Sequence, residues 1–166
     1  MIGGNSAKRG DVVSIPEAGI LGIILEIRGL QTRIRDLAQG HEIEIPNYNL
    51  LQYRTDYLRK SKGGPFKDFV EFHIGYGIPS SKVKSYLNAI YKTVSDSSSS
   101  LDSLREPKIT IRENSNNAVI WRITYVLDKP YQLLKVRNSI NMAAYDLQDE
   151  YDIYLSTPQL EKLVES

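Results

Sequence analysis

The stretch His41-Glu42-Ile43-Glu44-Ile45, followed by Pro46-Asn47, decides how the first part of this sequence folds. Polar and apolar residues alternate through it, which is typical of a strand with one buried face. Proline and asparagine then end the strand, because proline lacks the N–H group that a strand ladder needs. We therefore predict a half-exposed strand that ends in a sharp turn at Pro46.

Three more short strands are predicted upstream of this one. They are Asp11–Ile15, Ile20–Arg28 and Gln31–Arg35, separated by Pro16, Gly29-Leu30 and Ala38-Gln39-Gly40. Gly22 lies inside the second of them, where a glycine indicates a bend or a close backbone approach. Several short strands at regular spacing predict a small β-barrel.

A basic stretch follows the strands. Its cations are Arg54, Arg59, Lys60, Lys62 and Lys67, clustered around Gly63-Gly64-Pro65 with Asp56 as the opposing charge. We place a domain boundary here and interpret the stretch as a solvated linker, with a basic rim that meets ions, lipid or nucleic acid as the alternative. Three tyrosines lie near it: Tyr48, Tyr53 and Tyr57. Such tyrosines stack on bases or lie at subunit contacts, and we favour the contacts.

The second half changes its period and predicts the order β-α-β-β-α-β. Its strands are Phe69–Tyr76, Lys108–Arg112, Val119–Leu127 and Asp152–Leu155, and its helices begin at Pro79-Ser80-Ser81, with a serine N-cap, and at Pro130. The apolar stripes of the helices are Val83, Tyr86, Leu87, Ile90, Tyr91 and Val94, then Leu133, Val136, Ile140, Ala143, Ala144 and Leu147. A serine-rich loop is predicted over Asp96–Ser100, and a hairpin turn over Asn114–Asn117. This order is the ferredoxin-like pattern, an antiparallel sheet with two helices on one face.

Composition excludes several classes of function. The net charge of +1 gives no general attraction to nucleic acid, and the absence of cysteine excludes disulfides and thiolate metal sites. The longest uncharged apolar run, Ala18–Leu25, is too short to span a bilayer, which takes about 20 residues.

No pattern in the sequence indicates catalysis. His41 and His73 stand apart from each other and from any metal-ligand spacing, so we expect structural roles for both. Glu42 and Glu44 share a strand face, where paired carboxylates can do acid–base work, but charges on a wet edge strand explain them as well. The glycine pairs lack the lysine of a phosphate loop, and Ser97–Ser100 lacks a nucleophile elbow. The chain is expected to have no catalytic residue, cofactor or metal.

Several of these motifs resemble those of the small-conductance mechanosensitive (MscS-like) channel family. Arg9–Ile15 is similar to the family's GD-x-V-x-I motif, Gly19–Ile27 to its G-x-V-x-x-I strand, and Thr32–Arg35 to its T-x-I-R strand. Gly40–Asn47 resembles G-x-x-V-x-I-P-N, the most specific match, and Ile153–Gln159 resembles I-x-F-P-x-P-Q with Ser156 in place of proline. The motif residues carried over are Gly10, Asp11, Gly19, Gly22, Thr32, Arg35, Gly40, Ile45, Pro46, Asn47, Pro158 and Gln159.

The resemblance implies an α+β chain. An N-terminal Sm-like β-barrel would span residues 9–60 and a ferredoxin-like domain residues 66–160, with residues 1–8 as a linker or truncation scar and residues 161–166 as a C-terminal tail. It further implies a homo-oligomeric ring, a heptamer in the full-length family, and a vestibule on the cytoplasmic side of the cell membrane. The membrane would be reached through helices that this sequence lacks.

The resemblance also implies a role in ion transport rather than chemistry. Arg54, Arg59, Lys60 and Lys62 are then expected to line portals and favour anions. The alternative is a soluble Sm-like oligomer that binds nucleic acid, although no nucleic-acid partner is expected for the channel reading. An acyl-phosphate hydrolase is disfavoured because the turn Gly75–Pro79 has no arginine.

Overall fold

A computed structural model describes residues 7–98, 101 and 105–155 of the chain. These residues form two compact units. The first comprises the described residues up to Phe66 together with Asp128–Leu134, and the second comprises those of Lys67–Leu127 and those from Lys135 onwards. No helix among these residues is long and apolar enough to cross a membrane.

The first unit contains a five-stranded antiparallel sheet. Its strands are β1 (Val12–Ile15), β2 (Ile20–Ile27), β3 (Gln31–Asp36), β4 (Glu42–Pro46) and β5 (Asp56–Arg59), and the short helix α1 (Asn47–Leu50) follows β4. The order across the sheet is β4-β3-β2-β1-β5. The four strands predicted from alternation are therefore confirmed, with ends that move by one residue.

The core of this unit is built from the inward positions of four strands. Its buried members are Val13, Ile15, Ile20, Ile24, Ile34 and Ile45. Isoleucine and valine are stiff at χ1 and pack well on a pleated surface, which suits them to these inward strand positions. Tyr53 and Leu50 pack against the margin of this cluster.

Gly22 confirms the predicted close approach of two backbones. A Cβ atom at this position would lie 2.4 Å from Cγ2 of Ile34 and 2.6 Å from the carbonyl oxygen of Arg35. Both distances are shorter than any real contact, so β2 and β3 pair closely only because residue 22 has no side chain.

The interpretation of the basic stretch as a linker is wrong over four residues. Asp56–Arg59 forms β5, which pairs antiparallel with β1 from Val12↔Arg59 to Ser14↔Asp56. The physical reason is that β1 offers an open edge, and non-local pairing overrides a local sequence with no clear alternation.

The second unit combines three strands with three helices. The strands are β6 (Phe66–Ile74), β7 (Lys108–Asn114) and β8 (Val119–Leu127), in the order β6-β8-β7. The helices are α2 (Ser80–Ser97), α3 (Leu133–Asp146) and α4 (Gln148–Tyr151). A 3₁₀ turn at Pro130–Gln132 precedes α3, and this turn and the first two residues of α3 belong to the first unit. All six apolar residues predicted for the α2 stripe are buried, as are five of the six for α3; Leu147 follows the end of α3 and is half-buried.

Three local predictions in this unit are wrong. Asp152–Leu155 is not a strand: Asp152 has a left-handed backbone (φ 49°), and Leu155 forms a single antiparallel bridge with Ile74. No serine caps α2, because Pro79 occupies the N-cap position and no side chain bonds there. The serine-rich loop begins later than predicted, since α2 continues to Ser97. The predicted turn is confirmed, with the Ser115 amide donating to the Ala118 carbonyl at 2.9 Å.

Candidate functional site at the open edges of the first sheet

The two end strands of the first sheet, β4 and β5, each present an edge that no strand of the described residues covers. On β4, the Asp36 amide donates to the His41 carbonyl, and the Asn47 amide donates to the Leu30 carbonyl. Backbone groups of an antiparallel strand point to alternate sides, so residues of the same parity as His41 and Asn47 face β3. The amides of Glu42 and Glu44 therefore face the open edge.

The outer groups of β4 and β5 are suited to pairing with another strand. Pro46 has no N–H group, so the open edge of β4 ends sharply at that residue. On β5, Tyr57 and Leu58 are 38% and 39% exposed. An open edge with unpaired backbone groups is a template for strand addition.

The Glu42 carboxylate on β4 is held in its ionised form by two arginines on β3. Glu42 accepts hydrogen bonds from Arg33 (2.9 Å) and Arg35 (3.0 Å). The bond from Arg33 and the bond from Arg35 lower the pKa of Glu42, and the bond to Glu42 raises the pKa of Arg33. Glu44 accepts a hydrogen bond from the side-chain Nε2 of Gln31 at 3.2 Å. Glu42 is therefore engaged in two ion pairs and Glu44 in a hydrogen bond, so both carboxylates are accounted for as the polar face of an exposed strand.

The four cations predicted to act together fall into two different environments. Arg54 pairs with Asp56 at 2.9 Å, and Lys60 pairs with Asp11 at 3.1 Å. Within the described residues, Arg59 and Lys62 have no ion pair, so they keep their charge available to the solvent. The structure thus separates two paired cations from two unpaired ones.

Asp11 is the buried anchor that joins the start of β1 to the end of β5. Its side chain has no exposed surface. It accepts hydrogen bonds from the Ser61 amide (2.7 Å), the Lys8 amide (2.8 Å) and the Lys60 ammonium (3.1 Å). Burial pushes the pKa of Asp11 up, but these three donors together lower it below its usual value.

Gly10 lets the chain approach this anchor. It has a positive φ of 91°, and its amide donates to the Ile24 carbonyl at 2.8 Å. A Cβ atom there would lie 3.3 Å from Cβ of Ser61. Gly10 therefore allows the backbone to approach Ser61 closely, and Asp11 supplies the carboxylate that accepts the hydrogen bond from the Ser61 amide.

Thr32 and Asn47 form a second anchor at the other end of the sheet. The Thr32 hydroxyl, which is 2% exposed, donates to Oδ1 of Asn47 at 2.7 Å. The side-chain Nδ2 of Asn47 donates to the Arg28 carbonyl at 2.8 Å and to the Gly29 carbonyl at 3.3 Å. Asn47 therefore fixes the β2–β3 hairpin to the end of β4, which explains why the motif ends in Pro-Asn.

The remaining motif residues serve the backbone. Gly19 and Gly40 adopt positive φ angles of 65° and 78° at turns, and Ile45 belongs to the core. Pro158 and Gln159 lie outside the described residues.

The tyrosines near the cations do not form a stacking surface. The Lys60 ammonium lies 4.0 Å from the centre of the Tyr57 ring, and Tyr53 packs against the core cluster. Tyr48 alone of the three is largely exposed, at 71%. Base stacking needs free aromatic faces, so this arrangement gives little support to nucleic-acid binding.

Neither histidine has a partner set for a metal. Among residues 7–98, 101 and 105–155, no three of histidine, aspartate and glutamate are placed to hold an ion. His41 is exposed beside a turn, and His73 is half-buried on β6.

Sequence reasoning missed a buried ionic cluster in the second unit. Asp68, only 4% exposed, accepts from Nε (2.9 Å) and Nη2 (2.6 Å) positions of Arg137 and from the Tyr125 hydroxyl (2.6 Å). The hydrogen bond to Asp68 raises the pKa of Arg137, and burial raises the pKa of Tyr125. The signal was available, since Asp68 has the inward parity of Val70 and Phe72 on β6.

The sequence matches no family model and no curated protein. Solved structures do match it. MscS of Helicobacter pylori in its closed state is 17% identical, with a TM-score of 0.60 over 92% of this chain and 57% of that chain. MSL1 of Arabidopsis thaliana is 13% identical, with a TM-score of 0.51 over 92% of this chain and 54% of that chain. A second structure of wild-type MSL1 gives 13% and 0.54, over 91% and 51%.

Over its described length this chain has an MscS-like fold. The predicted resemblance is thereby confirmed at the level of fold, with a mixed α/β chain and antiparallel sheets. The chain spans little more than half the length of these relatives, between 51% and 57%.

Proposed function

We propose that this chain is the ring-forming and vestibule region of a mechanosensitive channel subunit. The observation that carries the proposal is the MscS-like fold over 92% of the chain. In this proposal the region lies on the cytoplasmic side of the cell membrane and has no catalytic role. Upstream helices of the full-length subunit would reach the bilayer, and the ring would be a heptamer.

The proposal gives each unit a more specific architecture. The five-stranded sheet of the first unit is an Sm-like barrel, and the second unit is a ferredoxin-like domain. The order β6-β8-β7 supports the second assignment. So does the antiparallel bridge from Leu155 to Ile74, because it brings the chain to the free side of β6.

The open edges supply the means of assembly. The β4 edge of one copy pairs with the β5 edge of the next, which removes both exposed edges and builds a closed ring from identical contacts. The charges support this direction of pairing, since β4 carries Glu44, while the unpaired cations Arg59 and Lys62 lie at the end of β5 and just after it.

The assembly step is tested by blocking the β4 edge. Glu44→Pro removes an amide that faces the open side, and Glu44→Lys reverses a charge without changing the backbone. Both variants of the full-length subunit are expected to shift from rings to smaller species in native mass spectrometry. Glu17→Lys, on the 3₁₀ turn between β1 and β2, is the matched control. Rings that persist in both variants would contradict edge pairing.

The unpaired cations supply the ion preference. Arg59 and Lys62 are expected to raise the local anion concentration, whereas Arg54 and Lys60 are neutralised by their aspartates. In patch-clamp recordings of the full-length channel, Arg59→Gln/Lys62→Gln should move the reversal potential in a salt gradient toward cation preference. Arg54→Gln should move it less. An equal shift from both changes would refute this division of roles.

A further inference from the structure

The second unit has a sheet face that its own helices leave open. The buried positions of β6 and β8 face α3, as the Asp68–Arg137 pair shows, and α2 is bonded to α3 through Tyr86 and Ala144. The opposite face therefore carries the alternate residues, and Phe69 on it is 41% exposed. Phe69 is thus an exposed apolar side chain on the end strand β6, within reach of the charged side chains of the same face.

This open face is basic. Its cations are Lys67, Lys108, Arg112 and Arg122, and its carboxylates are Glu71 and Glu113. Four cations against two carboxylates leave an excess of two positive charges. Arg112 and Arg122 share Glu71, and the Arg122 guanidinium lies 3.9 Å above the centre of the Phe69 ring. Stacked arginine and an aromatic ring are the residue types that protein interfaces favour.

The opposite charge lies at the far end of the helical layer of the same unit. Its carboxylates are Asp146, Asp149, Glu150 and Asp152, all exposed. In the described part of the chain the ion pair at this end is Lys82 with Asp152, 3.8 Å apart, so the excess is three negative charges. The charges of Asp149 and Asp152 raise the pKa of Tyr154, which reports the same negative potential.

The two surfaces cannot meet within one copy. The Tyr86 hydroxyl bonds to the Ala144 carbonyl, and the Tyr86 and Tyr151 rings lie 5.7 Å apart, so the acidic end belongs to the helical layer. The basic residues lie on the other side of the sheet. Complementary surfaces on different sides of one unit produce head-to-tail contacts between copies, and such contacts close into a ring when the rotation from one copy to the next divides a full turn.

We propose that the open sheet face of the second unit docks on the acidic helical end of the second unit in a neighbouring copy. This contact rests on the proposed ring and adds a second, electrostatic interface to it. The exposed side chains Tyr145 and Tyr154 lie within the acidic surface and supply contact area there. Charge complementarity would fix the direction in which copies follow one another.

The test is a charge swap in the full chain. Lys108→Glu/Arg112→Glu makes the sheet face acidic, and Asp149→Lys/Glu150→Lys makes the helical end basic. Each pair alone is expected to weaken association by about tenfold or more in sedimentation equilibrium, which corresponds to about 1.4 kcal/mol. The chain that carries all four changes should recover, because its surfaces are complementary again. Trp121 fluorescence checks that every variant is folded.

Zero-length carbodiimide cross-linking provides a second readout. In a mixture of labelled and unlabelled chains, Lys108 should be joined to Asp149 or Glu150 of another copy. The absence of these cross-links, or four changes that do not restore association, overturns the inference. If Glu44→Pro abolishes rings and the charge swaps have no effect, edge pairing is supported and the contact between second units is refuted. If the charge swaps weaken association and Glu44→Pro leaves rings intact, the contact between second units is supported and edge pairing is refuted.

Discussion

Replacing Arg137 should lower the free energy of unfolding of the second unit by more than any surface substitution on the same helix. Arg137→Met keeps most of the aliphatic volume but leaves the Asp68 carboxylate with the Tyr125 hydroxyl as its remaining partner. Asp68 is 4% exposed, so water cannot replace the two lost hydrogen bonds. The Arg137 side chain is 30% exposed, so its own loss of contacts is the smaller contribution.

The loss of stability depends on which charged group is left buried without a partner. Breaking a buried pair by removing one partner costs about 3–5 kcal/mol, because the other charge stays buried without compensation. Asp68→Asn leaves no buried charge without a partner, because the Arg137 guanidinium reaches solvent. The asparagine side chain also still offers an acceptor to the Tyr125 hydroxyl. Its cost is that of charge-assisted hydrogen bonds, about 1.5–3 kcal/mol. The double variant should cost less than the sum of the two single ones.

Trp121 makes the measurement specific to this unit. It is the one tryptophan of the sequence and is 4% exposed on β8. Urea unfolding followed by its fluorescence should place Arg137→Met at lower stability than Asp68→Asn. Lys135→Met, an exposed position on the same helix, should stay within about 0.5 kcal/mol of the natural chain. If Arg137→Met and Lys135→Met unfold together, or if the two single costs simply add, the reasoning about the stranded carboxylate is wrong.

Two further predictions concern the first unit. Asp11→Asn should speed hydrogen exchange of the Ser61 amide at pH 7. Because folding lowers the pKa of Asp11, the stabilisation by its carboxylate is present above the unfolded pKa of about 3.9 and is lost as pH falls through the folded pKa. The difference in exchange rate between the variant and the natural chain should therefore shrink in acid. An equal difference at pH 7 and pH 3 would contradict this assignment. Gly22→Ala should cost about 1–3 kcal/mol by calorimetry, because its Cβ would press on the Arg35 carbonyl. Gly29→Ala meets no atom within 4 Å and should be close to neutral, so similar costs for both would count against steric exclusion.

Periodicity predicted most of the fold because it records burial directly. The alternation of Glu42, Ile43, Glu44 and Ile45 places β4 at a surface with one wet face, and the structure agrees. The 3.6-residue stripe of α2 is buried in full for the same reason. Elements whose residues themselves record which side is buried can be found without knowing their neighbours.

What the sequence did not reveal depends on partners that are distant along the chain. β5 exists because Val12 and Val13 offer it an edge more than 40 residues away, and Asp68 is satisfied by Arg137, which is 69 residues away. Side-chain charge alone grouped Lys60 with Arg59, yet one is held by buried Asp11 and the other is unpaired among the described residues. The functional meaning of a charge is set by what faces it, and that is decided by topology rather than by local pattern. The same reasoning makes the acidic and basic surfaces of the second unit informative. Both are exposed, and each keeps an excess of charge after the ion pairs within its own copy are counted. A neighbouring copy is the partner proposed for that excess.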